Sequence, residues 1–175
     1  MGKGACAMQF ISRMLQKTSS GYTITQGMAE TIYSINYVLG LKEENVSRIL
    51  VAGIPMMTAV AADDPQIAER LFSESKKKDR SKTKKLQYAV KDYFTLFGDR
   101  GLPLTKTVAA QTGDQVGDVN NVMGLFLPIF VDAIEEEHPR DEEELAQLFR
   151  EDMEEVKSDS PVFADTVMKI RYLVT

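Results

Sequence analysis

Two stretches of this chain superpose without gaps at a separation of 73 positions. Leu39–Ala62 reads LGLKEENVSRILVAGIPMMTAVAA, and Thr112–Glu135 reads TGDQVGDVNNVMGLFLPIFVDAIE. Gly40 meets Gly113, Val46 meets Val119 and Pro55 meets Pro128. Apolar also meets apolar at Ile49/Val122, Leu50/Met123, Ile54/Leu127, Met57/Phe130 and Ala61/Ile134. A glycine, a valine and a proline held in register with matching apolar slots constrain the fold to a tandem of similar units.

The units are helical. In the second, Val119, Val122, Met123, Phe126, Leu127, Phe130, Ala133 and Ile134 recur at three- and four-residue intervals, which is one face of an α-helix. Val46, Ile49, Leu50, Gly53, Ile54, Met57, Val60 and Ala61 form the same stripe in the first. Further apolar residues at Val51, Ala52 and Met56 predict that the first central helix is covered on most sides. Pro55 and Pro128 then lie inside helices, where proline removes one backbone hydrogen bond and crowds the preceding turn, at about 3 kcal/mol. The alternative places each proline at the first position of a new helix. Ile54 and Leu127 are poor N-caps, which favours interior, kinking prolines.

Flanking helices are expected at Cys6–Lys17, Thr25–Leu39 with Gly40 as left-handed C-cap, Asp64-Pro65 to Lys78, Leu86–Phe97, Leu104–Thr112 with Gly113 as cap, Pro139–Val156 and Pro161–Val174. Gly98–Pro103 reads as a loop. The repeat continues where Leu71-Phe72 answers Leu148-Phe149. The expected architecture is all-α, with a first unit over residues 1–80 (core 22–78) and a second over 81–175 (core 86–157), together forming either two units or one compact domain.

With 175 residues, folding buries roughly 70% of the surface that the unfolded chain exposes, so no metal or disulfide is needed to hold the core. Cys6 is the only cysteine, which suits a reducing, cytoplasmic setting. Over Met1–Ser20 no secretory signal is read, because Lys3, Arg13 and Lys17 interrupt the apolar residues. Met1-Gly2 without Ser or Thr at position 6 departs from a myristoylation signal. The apolar runs Ile49–Ala62 and Val122–Ile134 fall short of the ~20 residues that a membrane span needs, and no span is expected.

The glycine turn, the valine, the proline-interrupted apolar helix and the trailing amphipathic helix read GLKEENVSRILVAGIPMM…DPQIAERLF and GDQVGDVNNVMGLFLPIF…HPRDEEELAQLF. On these residues the chain resembles the YidB-like bacterial and archaeal family of unknown function, over about half its length. The resemblance implies an all-helical tandem fold and brings no catalytic residues. The lysine-rich linker and acidic C-terminal region depart from that family's usual form.

Ala109, Gly113 and Val119 have helix-turn-helix spacing, and Gly40–Leu50 also reads as a turn followed by a recognition helix. The outward positions do not suit phosphate. Lys42, Glu43, Glu44, Asn45, Ser47 and Arg48 sum to zero charge, and Asp114, Gln115, Gly117, Asp118, Asn120 and Asn121 sum to −2. The spacing is therefore read as helix packing across a glycine turn, with nucleic-acid binding as the alternative. A second candidate contact is the basic linker, Lys76, Lys77, Lys78, Arg80, Lys82, Lys84 and Lys85 against Asp79, a local charge of +6. It is read as solvated, as pairing with the acidic stretch Asp132–Asp159 (net −10) in the same or another copy, or as holding an external anion. No metal, cofactor or catalytic set is assigned: His138 and Cys6 are the only residues of their types, and calcium-loop and P-loop patterns are missing. The expected role is a non-enzymatic structural or interaction module that contacts itself or another protein.

Overall fold

The computed structural model describes residues 9–19, 21–79 and 85–159. Two short strands, β1 (Leu15–Thr18) and β2 (Gly21–Ile24), precede the helices α1 (Ala29–Leu39), α2 (Glu43–Asp63), α3 (Pro65–Ser75), α4 (Leu86–Phe97), α5 (Gly101–Thr112), α6 (Val116–Glu136) and α7 (Glu142–Asp159). The fold is all-α, with one small antiparallel hairpin at its N-terminal side.

At the matched positions the backbone takes the same local path. Gly40 (φ 68, ψ 20) and Gly113 (φ 80, ψ 7) are both left-handed. Their N–H groups donate to the carbonyls of Asn36 (2.8 Å) and Ala109 (2.9 Å), which closes α1 and α5. Lys42 and Gln115 are then extended, with ψ 149 and 146, and each opens a helix of 21 residues. Both prolines lie within continuous helices. The interior reading therefore holds over the helix-start reading, and the carbonyls of Val51 and Gly124 each lack the proline N–H that would complete the ladder. All eight residues of each apolar stripe are buried. Of the flanking residues expected to be covered on α2, Ala52 and Met56 are buried and Val51 is only partly so; at the matched positions of α6, Leu125 and Ile129 are partly buried.

The halves interlock. α2 packs against α5 and α7, α6 packs against α1 and α3, and the two central helices touch each other. At Gly53 a Cβ would lie 2.6 Å from the Met123 sulfur, so glycine permits that close contact. Gly124 does the same for α4, since its Cβ would lie 3.0 Å from both N and Cα of Val90. α5 runs antiparallel along α2. Arg100, just before α5, lies beside Asp63 (3.6 Å) and Asp64 (3.5 Å) at the end of α2, and Asp114, just after α5, meets Arg48 near its start.

By length and composition both central helices are apolar enough to cross a membrane. Most of that stretch in α2, and just over half in α6, is buried inside this fold, as in the core helices of a soluble protein.

Several expected boundaries move. The helix read over Cys6–Lys17 is absent from its described part: Ile11–Arg13 form a single 3-10 turn, and β1 follows. Residues 1–8 lie outside the described set, as do Arg80, Lys82, Lys84 and the helix read over Pro161–Val174. α1 begins at Ala29 rather than Thr25, after a 3-10 turn at Gln26–Met28. Gly98–Pro103 is not a loop: a 3-10 turn (Gly98–Arg100) leads directly into α5, whose first turn accepts Pro103 because N–H groups there have no helical partner. α7 starts at Glu142 rather than Pro139, because Asp141 Oδ1 accepts the Glu144 N–H (2.8 Å) while Glu144 Oε1 accepts the Arg140 N–H (3.3 Å). Burial also shifts the outer repeat by one residue. Ile67, Ala68 and Leu71 match Leu145, Ala146 and Phe149, so Leu71 answers Phe149 rather than Leu148.

Candidate interaction surfaces

The helix-turn-helix spacing resolves into two turns tied to each other. Arg48 Nη2 donates to Asp114 Oδ1 (2.8 Å) and its Nε to Asp114 Oδ2 (3.1 Å), a two-pronged pair linking the start of α2 to the turn before α6. The hydrogen bond to Asp114 raises the Arg48 pKa further. Ala109 and Val119 are buried in the core. The cation best placed to reach phosphate from α2 is thus engaged by a carboxylate of the other turn.

Of the basic linker, Lys76, Lys77, Lys78 and Lys85 are described and exposed. The Lys76 ammonium sits 5.1 Å from the centre of the Phe72 ring, and Lys77 pairs with Glu74 (2.7 Å) one turn back. Both are local contacts that cap the end of α3.

Among the described residues, Arg13 and Lys17 supply cations to the acidic C-terminal region from a strap formed by residues 9–19 and 21–24. Arg13 pairs with Glu136 (2.8 Å) and Glu137, and Lys17 pairs with Asp159 (2.8 Å). The Lys17 contact holds the Asp159 carboxyl below its ordinary range. Burial, with Asp159 beside it, pushes the Tyr22 hydroxyl up to about 12. The anchor of the strap is Asp152, only 2% exposed. Its carboxylate accepts the backbone N–H groups of Gln9 (2.9 Å), Phe10 (2.9 Å) and Ile11 (2.7 Å). Burial raises the Asp152 pKa, and those three donors pull in the opposite direction. The anchor seats Phe10 between Phe130 (5.1 Å) and Phe149 (5.0 Å), with Ile11, Met14 and Leu15 also buried.

Beside the strap lies a polar cleft of about 540 Å³, lined among others by Glu137, Arg140, Asp141, Glu144, Gln147 and Glu151. Its side chains engage one another: Arg140 with Glu144 (2.6 Å), and Gln147 with both Glu151 (3.2 Å) and Arg150 (3.0 Å). Among the described residues no three His, Cys, Asp or Glu side chains converge as metal ligands. His138 is exposed and holds a left-handed conformation (φ 51) where α6 ends.

The surface that stands apart is on α1. Tyr33, Tyr37 and Val38 are 62%, 79% and 57% exposed, and the two tyrosine rings stack with centroids 6.4 Å apart. Ile32 and Ile35, on the opposite side of the helix, are buried. Their counterparts in α5, 73 positions on, are Thr105 and Val108, also buried. The counterparts of Tyr33, Tyr37 and Val38 are Lys106, Ala110 and Gln111, all exposed. One fold position therefore carries an aromatic ridge in one half and a solvated face in the other. The packing of the described residues does not call for the ridge. Sequence reading passed over it, although comparing the repeats at their non-core positions would have found it.

Comparison of the chain with protein families, with curated proteins and with solved structures returns no match.

Proposed function

We propose that this chain is a non-enzymatic, cytoplasmic helical module that works by protein contact, and that α1 supplies the contact face. The observation carrying this reading is the exposed Tyr33–Tyr37–Val38 ridge, set against the Lys106–Ala110–Gln111 face of the matching helix. Tyrosine suits such a role because it offers a large apolar face and a polar tip at small conformational cost. The resemblance to the YidB-like family, carried by the glycine turns and proline-interrupted helices, is compatible with a role that involves no catalysis. Nucleic-acid binding through the paired turns is disfavoured by the Arg48–Asp114 clamp and the acidic character of the second turn.

Photo-crosslinking in the cells that make the protein tests the reading. p-Benzoylphenylalanine in place of Tyr33 or Tyr37 is expected to trap protein adducts, and the same probe in place of Lys106 is the matched control. Equal, background-level adducts at all three positions would overturn it.

A further inference from the structure

We infer that the α1 ridge pairs with the α1 ridge of a second copy, the two helices running antiparallel across a two-fold axis; this rests on the interaction-face reading above. The exposed residues along α1 are Ala29, Glu30, Tyr33, Ser34, Tyr37 and Val38, so a single charge sits at one end of an otherwise uncharged aromatic stripe. A partner rich in either sign of charge finds no complement there. A second ridge of the same composition does: it is apolar, neutral at its centre and self-complementary.

The end charges select the direction. A parallel pairing would set Glu30 against Glu30. In the antiparallel arrangement each Glu30 lies at the level of the partner's Gly40–Lys42 turn, whose one charge is the exposed Lys42. Glu43 and Glu44 follow in the first turn of α2, where the positive end of that helix offsets them. Among the described residues neither Glu30 nor Lys42 has an ion-pair partner within the chain, so both are available.

Size sets the strength. An eleven-residue helix is about 16 Å long. Its face supplies less than the ~800 Å² per partner of a stable complex, so the dimer is weak, with Kd on the order of 100 μM.

Sedimentation of the purified full chain from about 10 μM to about 1 mM tests this. Wild type is expected to shift from monomer to dimer across that range. The variant Tyr33→Lys/Tyr37→Ala/Val38→Gln, which gives α1 the residues of its counterpart, is expected to stay monomeric with unchanged circular dichroism. Tyr37→Ala alone, expected to weaken dimerisation about tenfold, serves if the triple variant loses structure. In a Cys6→Ser background, Ser34→Cys sits near the axis and is expected to crosslink to itself, and Glu30→Cys is not. A wild-type monomer at 1 mM, or equal dimerisation by the variants, overturns the pairing, and efficient Glu30→Cys self-crosslinking overturns the antiparallel direction. If wild type is monomeric while the photo-probes on α1 still trap other proteins, the self-pairing fails and the interaction face stands. If both experiments are negative, both readings fall.

Discussion

Removing the Asp152 carboxylate tests whether one side chain holds the N-terminal strap. In Asp152→Ala the N–H groups of Gln9, Phe10 and Ile11 lose their common acceptor, and the last two are buried. Leaving a buried N–H without an acceptor costs about 1–3 kcal/mol, so the two buried donors of Phe10 and Ile11 together amount to about 4 kcal/mol. Against this, the carboxylate itself is costly to bury, as its raised pKa records, and removing it returns about 1–2 kcal/mol. The expected net loss is about 3 kcal/mol. Urea unfolding measures it, and amide exchange locates it: Phe10 and Ile11 should lose protection before the α2 and α6 amides do. A loss under about 0.5 kcal/mol, or undiminished protection at Phe10 and Ile11, refutes the anchor.

The same carboxyl has a signed pH dependence. Because its folded pKa is raised, the folded state holds the proton more tightly than the unfolded state does. The contribution of Asp152 to stability is therefore greatest at low pH and falls as pH rises from its ordinary value, 3.8, through the raised one. Carboxyl carbon shifts should show Asp152 titrating above 3.8, and titration at or below that value would contradict the burial argument. Gly124→Ala drives a methyl into the Val90 backbone and should cost about 2 kcal/mol, whereas Gly53→Ala meets only the flexible end of Met123 and should cost under about 1 kcal/mol; thermal melts compare them. Gly40→Ala and Gly113→Ala each force a left-handed alanine at about 1 kcal/mol, and chemical denaturation of the double variant should give their sum. His138→Gly relieves the same strain at the end of α6 and should stabilise by about 0.5–1 kcal/mol, read as a raised urea midpoint.

What the sequence makes legible is whatever depends on neighbouring residues. The central helices, their buried stripes, the glycine caps, the Asp64-Pro65 helix start and α4 all follow from spacing and local chemistry. Asp64 caps α3 by accepting the N–H groups of Gln66 (3.0 Å) and Ile67 (3.4 Å), a contact within four residues of itself. The strap is different. A helix is expected over Cys6–Lys17, where Phe10, Ile11, Met14 and Leu15 also fall at a helical interval. The backbone amides at its start are instead taken by a carboxylate more than 140 positions away. No local pattern announces such a donor–acceptor set, although Thr18, Tyr22 and Thr23 around Gly21 do carry a strand signal.

The candidate face was illegible for another reason: an exposed tyrosine means nothing by itself. It acquires meaning only against a reference for what the position requires, and this chain contains one. Wherever a buried position in one half is matched by a buried position in the other, as at Ile32 and Thr105 or Ile35 and Val108, the fold sets the choice. Where both copies are exposed and only one is aromatic, the packing of the described residues does not set the difference. By that criterion α1 separates cleanly from the basic linker. Lys76 and Lys77 are already engaged with Phe72 and Glu74 of their own helix, whereas the Tyr33 and Tyr37 rings stack on each other and remain largely exposed.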